Sequence, residues 1–116
     1  MSNESFGAKI RALREAQKIS LRKFAEKVDI SPTYLSKIER DEFPPPAEDV
    51  VRKFADALNQ DHDELLALAG RVSSDLPKII RERPRELATF LRTASELSPE
   101  EMAKLTRYLE TMKRPT

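Results

Sequence analysis

The residues with the clearest chemical potential lie on the outer side of one short predicted helix: Thr33, Tyr34, Ser36 and Lys37. Thr33 and Lys37 are four residues apart, so their side chains project from the same face. A lysine ammonium can donate to the O6 and N7 acceptors of guanine, and a threonine methyl group can contact the methyl group of thymine. Tyr34 can donate to a phosphate or pack on a sugar. The same residues also suit an ordinary solvated helix, so the neighbouring elements must decide between the two interpretations.

Side chains around this helix have the chemistry of phosphate contacts, which position a protein on a nucleic acid without reading its sequence. The candidates are Arg22, Lys23, Ser36 and Arg40. For each of them, a merely solvated side chain is an equally good interpretation. The run from Arg81 to Arg85 is a second basic cluster, and a solvated helix start explains it more simply.

Two short helices joined by a tight turn are predicted from Ser20 to Arg40. Ser20 and Ser31 are candidate N-caps, because each hydroxyl can accept a hydrogen bond from a free amide in the first turn. Pro32 suits the first helical position, where its missing N–H costs nothing. The residues predicted to face inward at helical spacing are Phe24, Ala25, Val28, Leu35 and Ile38.

This stretch resembles the helix-turn-helix of the phage repressor/Cro (XRE-type) family. The residues that match are Ala25, Ile30-Ser31 at the turn, and Leu35-Ser36-Lys37-Ile38-Glu39 in the second helix. The resemblance extends over roughly the first 70 residues, the usual five-helix module of that family. It implies that the second helix lies in the major groove of double-stranded DNA. The base contacts that the resemblance implies are Pro32, Thr33, Tyr34 and Lys37.

Three departures from the family pattern affect this expectation. Leu21 replaces a glutamine that donates to a phosphate in relatives, so Arg22 or Lys23 takes over that contact. Asp29 replaces a frequent glycine at the turn, where aspartate tolerates the left-handed conformation less well. The loop Asp41 to Pro46 is acidic at its start, so we expect it to be angled away from phosphates or to contribute little. Glu39 matches a position that often pairs with a basic residue, and its expected role is structural.

The rest of the chain predicts an all-α protein. Helices are expected at about 5–17, 21–28, 32–40, 47–58 and 62–69, which gives a five-helix DNA-binding domain at 1–70. Residues 71–116 are predicted to form a C-terminal helical segment, with a short helix followed by a helical hairpin. The hairpin leaves apolar faces that need a partner, because two helices alone bury too little. Either the first domain or a second copy of the chain can supply that partner. The predicted dimer interface consists of Phe90, Leu91, Met102, Leu105, Leu109 and Met112.

Composition excludes several classes of function. With no cysteine and one histidine, His62, the chain has no Cys–His dyad and lacks the ligands of nearly all zinc sites. It has no glycine-rich phosphate loop, so we expect neither an enzyme nor a cofactor. No apolar run approaches the ~20 residues that span a bilayer, and the N-terminus lacks the apolar core of a signal peptide. We therefore expect a cytoplasmic protein with no membrane association.

Charge is unevenly distributed along the chain although the formal net charge is only +1. Residues 1–41 hold nine Lys or Arg and six Asp or Glu, whereas residues 42–70 hold two and seven. Residues 71–116 hold ten and seven. The predicted reading unit is mildly basic beside an acidic flank that would repel phosphate. Ordinary solvated helix faces would give the same distribution.

Together the residues and the resemblance predict a sequence-specific double-stranded DNA-binding transcriptional regulator, a repressor that binds a palindromic operator as a homodimer. The alternative is an antitoxin or a protease-controlled regulator that acts mainly through a protein partner, either a toxin or a zinc metallopeptidase. An exposed linker from Arg71 to Asp75 would suit cleavage. A third interpretation is a nucleoid binder without sequence preference.

Overall fold

The computed structural model describes residues 4–113, which contain eight helices and no strand. The chain divides into two compact units, residues 1–73 and residues 74–116. The first unit holds α1 (Phe6–Ala16), α2 (Leu21–Lys27), α3 (Pro32–Glu39), α4 (Glu48–Leu58) and α5 (His62–Leu68). The second holds α6 (Asp75–Glu82), α7 (Pro84–Ala94) and α8 (Pro99–Lys113). The all-α prediction is confirmed.

Helices in the first unit begin with side-chain caps. At four N-termini a serine or aspartate side chain accepts a hydrogen bond from the backbone amide three residues later, which satisfies one of the free donors of the first turn. The capping pairs are Ser5–Ala8, Ser20–Lys23, Ser31–Tyr34 and Asp61–Glu64. The caps predicted from the sequence at Ser20 and Ser31 are therefore confirmed.

Left-handed backbone conformations separate the helices. Asp29 has a φ of 58° at the turn between α2 and α3, and Asn59 has a φ of 56° at the end of α4. Both residue types tolerate this conformation better than most. Lys18 has a φ of 58° between α1 and α2, which its residue type did not predict. At each of these residues the chain changes direction between two helices that pack on the same core.

The hydrophobic core joins all five helices of the first unit. Phe54 of α4 lies at its centre, with its ring centroid 5.3 Å from that of Phe24 and 6.1 Å from that of Phe6. On α4, Val51 is fully buried, whereas Val50 only packs against the edge of the core. The remaining buried apolar residues are Ile10, Ala25, Val28, Leu35, Ile38, Ala55, Leu58, Leu65 and Leu66.

Gly7 permits α1 to pass close to the end of α3. A Cβ atom at this position would overlap the carbonyl oxygen of Ile38, and it would lie 2.6 Å from Asp41 Oδ1 and 3.0 Å from the carbonyl oxygen of Glu39. The backbone of a packed helix cannot move away from such a Cβ atom without a large cost in free energy. Glycine is therefore required here for the spacing between the two helices, although it is a poor helix former.

The second unit has well-formed helices but little buried surface. α8 starts with the predicted capping box, in which the Ser98 amide donates to Glu101 Oε1 at 2.9 Å and the Glu101 amide donates to Ser98 Oγ at 3.1 Å. The hydrogen bonds from the backbone amide and the hydroxyl of Ser98 lower the pKa of Glu101. Among residues 74–113, only Ala94 is buried. The large apolar residues exposed on this unit are Leu76, Ile79, Phe90, Leu91, Met102, Tyr108, Leu109 and Met112.

The substitution Gly7→Ala tests the close contact between α1 and α3. Helix propensity alone predicts that alanine stabilises the protein by up to about 1 kcal/mol. The overlap with the Ile38 carbonyl instead predicts a loss of about 1–3 kcal/mol, as for other overpacked sites. Urea denaturation followed by circular dichroism gives the free energy of unfolding. A stabilised variant would contradict the contact.

Candidate nucleic-acid interface

α3 is built as an amphipathic helix whose inner side is fixed in the core. Leu35 and Ile38 are fully buried, and Ser31 caps the N-terminus by accepting from the Tyr34 amide at 3.1 Å. Pro32 occupies the first turn, as predicted. Since the inner residues hold the helix, its outer residues are available to a partner.

A buried ion pair connects α1 to the last turn of α3. Arg14 Nε donates to Glu39 Oε2 at 2.8 Å, and Arg14 Nη2 donates to Glu39 Oε1 at 3.0 Å. Arg14 Nη1 donates to the carbonyl oxygen of Ile19 at 2.9 Å, so the same guanidinium also holds the connection that leads into α2. The hydrogen bonds that Arg14 donates to the Glu39 carboxylate raise the pKa of Arg14. The structural role expected for Glu39 is confirmed.

Arg14 is buried, although arginine is among the residues that are most often exposed. Arg14 is 8% exposed and Glu39 is 6% exposed. The sequence indicates this burial, because Arg14 follows the buried residues Phe6 and Ile10 at four-residue intervals and so lies on the same face of α1. A charged residue in phase with an apolar stripe indicates a buried partner of opposite charge.

The four candidates for base contact differ in their surroundings. Pro32 and Thr33 are exposed at the N-terminal end of α3. Tyr34 was expected to point away from the core, but it is half-buried and packs against the core's edge. Lys37 is also half-buried, and its Nζ lies 5.0 Å from the centroid of the Phe43 ring. The outer face is therefore open at its start and partly lined by an aromatic ring at its end.

The candidates for phosphate contact lie on α2 and around the end of α3. Arg22 and Lys23 are exposed in the first turn of α2. Arg40 instead pairs with Glu42 at 2.7 Å, and its Nε donates to the carbonyl oxygen of Ser36 at 3.3 Å. The negative charge of Glu42 therefore partly offsets the positive charge that Arg40 presents to a phosphate.

One basic residue near this surface was missed. Arg11 of α1 lines a shallow depression of about 260 Å³ together with Ser36 and Arg40. It is an exposed residue whose Nε lies 3.5 Å from Glu15 Oε2. The sequence offered no signal, because only the fold brings α1 beside α3.

The proline-rich loop borders α3, and its expected distance from phosphates stays a prediction. Its acidic residues have partners within the protein: Asp41 Oδ2 accepts from Ser5 Oγ at 2.7 Å, and Glu42 pairs with Arg40. Phe43 is exposed, and its ring centroid lies 5.9 Å from that of Tyr34. Sequence reasoning gave Phe43 no role.

The expectation of an exposed linker from Arg71 to Asp75 is wrong in part. Arg71 Nε donates to the carbonyl oxygen of Pro46 at 3.1 Å, and Nη2 donates to that of Pro45 at 3.2 Å. Ser73 is buried, and its Oγ accepts from Arg52 Nη2 at 2.6 Å. The first part of this segment is therefore attached to the first unit.

Other kinds of site find little support in the part of the chain that the structure describes. No group of three His, Cys, Asp or Glu residues among residues 4–113 is arranged to hold a metal ion. No helix within that range is long and apolar enough to cross a membrane.

Known proteins resemble this chain in sequence. The sequence model of the Helix-turn-helix family HTH_3 matches residues 10–65, which include α2, the turn and α3. The uncharacterized HTH-type transcriptional regulator RghRB of Bacillus subtilis (strain 168) is 34% identical over 77 residues, 66% of this chain and 55% of that protein. The chain thus spans about half the length of this curated relative.

Solved structures of two regulators also resemble this chain. The clp gene regulator ClgR from Corynebacterium glutamicum is 26% identical, with a TM-score of 0.51, over 77% of this chain and 88% of that chain. The N-terminal DNA binding domain of SinR from Bacillus subtilis is 31% identical, with a TM-score of 0.49, over 53% of this chain and 88% of that chain.

The substitution Arg14→Met tests whether the buried pair holds α3 in place. It leaves Glu39 as a buried unpaired charge, so the free energy of unfolding should fall by about 3–5 kcal/mol. The double variant Arg14→Met/Glu39→Leu removes both charges and should recover most of this loss. Arg11→Met is the matched control, because it breaks an exposed pair on the same helix and should cost less than about 1 kcal/mol. A double variant as unstable as the single one would contradict the assignment.

Proposed function

We propose that the chain, whose residues 10–65 match the Helix-turn-helix family HTH_3, is a sequence-specific transcriptional repressor acting as a homodimer. The observation that carries the proposal is the two-sided character of α3. Leu35, Ile38 and Glu39 fix its inner side within the protein, while Pro32 and Thr33 remain exposed on its outer side. An α-helix presented in this way fits the major groove of B-form DNA.

Within this proposal, each outer residue of α3 makes the kind of contact with DNA that its side chain allows. Lys37 donates to a guanine edge, and the Thr33 methyl group contacts a thymine methyl group one helical turn away on the same face. Pro32 offers an apolar contact, and Tyr34 adds a contact from the edge of the core. Arg22 and Lys23 bind phosphates and set the register, with Ser36, Arg11 and Arg40 beside them.

Dimerisation through the second unit follows from its uncovered apolar residues. The α8 stripe Met102, Leu105, Leu109 and Met112 has spacings of three, four and three residues, which read the same in both directions. An antiparallel pair of α8 helices about a two-fold axis therefore places each methionine opposite the other methionine and each leucine opposite the other leucine. Phe90 and Leu91 of α7 extend the apolar surface.

A two-fold dimer also explains how so small a domain would achieve specificity. Two copies double the number of base contacts, and the preferred operator is then a palindrome whose half-sites lie about one helical turn, ~34 Å, apart. Such a regulator works on chromosomal DNA in the cytoplasm.

A second candidate function uses the same apolar faces for another protein. Exposed Phe90, Leu91 and Met112 would then bind a toxin or a metallopeptidase, and the chain would act as an antitoxin or as a regulator controlled by proteolysis. The burial of Ser73 and the hydrogen bonds of Arg71 disfavour cleavage at the start of the linker.

The contrast between Lys37→Ala and Lys23→Ala tests the assignment of base and phosphate contacts. On a duplex selected from a random-sequence pool, Lys37→Ala should cost ~1–3 kcal/mol and relax one base position. Lys23→Ala should weaken binding to all sequences alike and lower the slope of log K against log salt by about one. Fluorescence anisotropy at several salt concentrations measures both effects. Lys53→Ala, an exposed lysine of α4, is the control that should change neither. Identical behaviour of the first two variants would overturn the assignment.

The substitution Leu105→Glu tests the dimer. It introduces a charge into the centre of the α8 stripe, so sedimentation should show a dimer for the wild type and a monomer for the variant at tens of micromolar. Ala103→Glu adds the same charge on the other side of α8 and should remain dimeric. A wild-type protein that is monomeric and does not pair on DNA would exclude the dimer.

A further inference from the structure

Phe43 is an exposed aromatic residue in contact with the predicted reading face. It is 42% exposed, yet its ring contacts two of the four base-contact candidates. The Lys37 ammonium lies 5.0 Å from the ring centroid, and the Tyr34 ring centroid lies 5.9 Å away. An aromatic ring attracts a cation over its face, because the face carries the negative part of the ring quadrupole.

The backbone around Phe43 is anchored to the residue that its ring contacts. The amides of Glu42 and Phe43 both donate to the carbonyl oxygen of Lys37, at 2.9 and 3.3 Å. Pro44 follows and restricts Phe43 to extended conformations. At the other end of the loop, Arg71 binds the carbonyl oxygens of Pro45 and Pro46. The ring is therefore held from both sides rather than carried on a free loop.

The acidic residues at the start of the loop have partners other than Lys37, whose ammonium group lies over the Phe43 ring. Glu42 lies in the loop, and its carboxylate pairs with Arg40 at 2.7 Å. Asp41 accepts instead from Ser5. A lysine side chain has many rotamers in solution, so a fixed ring that favours one of them reduces the ordering cost of a base contact.

We propose that Phe43 is a positioning residue for Lys37, which it holds over its ring so that the ammonium is already oriented when α3 enters the groove. This role rests on the proposed function, since it has meaning only if Lys37 reads a base. It makes the proline-rich loop part of the specificity apparatus through an apolar residue rather than through a phosphate contact.

The substitution Phe43→Leu removes the aromatic face and retains an apolar side chain before Pro44. Preference for the base pair read by Lys37 should fall about two- to fivefold, the range expected for one exposed cation–π contact. The salt slope should stay unchanged, because no phosphate contact is lost. Phe43→Tyr retains the ring and should restore wild-type preference. The measurement is competition between the selected duplex and its single-base variants.

A double-mutant cycle separates positioning from general stability. In the Lys37→Met background, Phe43→Leu should have no further effect on base preference, because the cation is absent. Equal effects of Phe43→Leu in both backgrounds would overturn the proposal. So would a single variant Phe43→Leu that discriminates as well as the wild type.

Spectroscopy of the free protein checks the contact without DNA. The ring current of Phe43 should shift the ε-methylene protons of Lys37 upfield in the wild type and in Phe43→Tyr, but not in Phe43→Leu. Absence of the shift in the wild type would overturn the proposal while leaving the DNA-binding function intact. A wild-type protein that selects no preferred sequence removes both together.

Discussion

One buried ion pair, between Arg14 of α1 and Glu39 of α3, connects the helix proposed to read DNA to the rest of the first unit. Burying two charges costs several kcal/mol of desolvation per ion, so such a pair is tolerated only where its geometry and hydrogen bonds are good. Here the carboxylate receives two hydrogen bonds, and the third guanidinium nitrogen donates to the carbonyl oxygen of Ile19. Among the described residues no buried side-chain polar atom lacks a partner. The pair thus fixes α1, α3 and the entry to α2 at one point, and Gly7 allows α1 to approach closely enough for it.

This construction gives the two units different characters. In the first, apolar residues from five helices are buried within the fold, and the N-terminal part of the outer face of α3 is exposed. In the second, only Ala94 is buried among residues 74–113, and eight large apolar side chains are exposed. Apolar surface of this extent on well-formed helices is typical of protein interfaces. The proposed contact with nucleic acid and the proposed contact with protein thus belong to different parts of the chain.

Much of the first unit is predictable because its signals are local. A serine or aspartate cap, a proline in the first turn and Asn59 at a left-handed position each act within a few residues of sequence. What the sequence did not reveal depends on contacts between distant segments. Gly7 looks like a helix-weakening residue until Ile38 is brought beside it, and the periodicity that marks Arg14 has meaning only with Glu39 opposite. The acidic residues before Phe43 suggested that the loop repels DNA. In the fold, Asp41 accepts a hydrogen bond from Ser5, and Glu42 forms an ion pair with Arg40.

The central claim, that the outer face of α3 lies in the major groove, is tested most directly by methylation interference. The N7 atom of guanine lies only in that groove, so methylating it blocks a side chain that reads the base there. A duplex selected by the wild-type protein is partially methylated, and bound and free fractions are compared at each guanine. The account predicts interference at guanines clustered in two half-sites about one helical turn apart. Binding that is indifferent to N7 methylation at every guanine would contradict it.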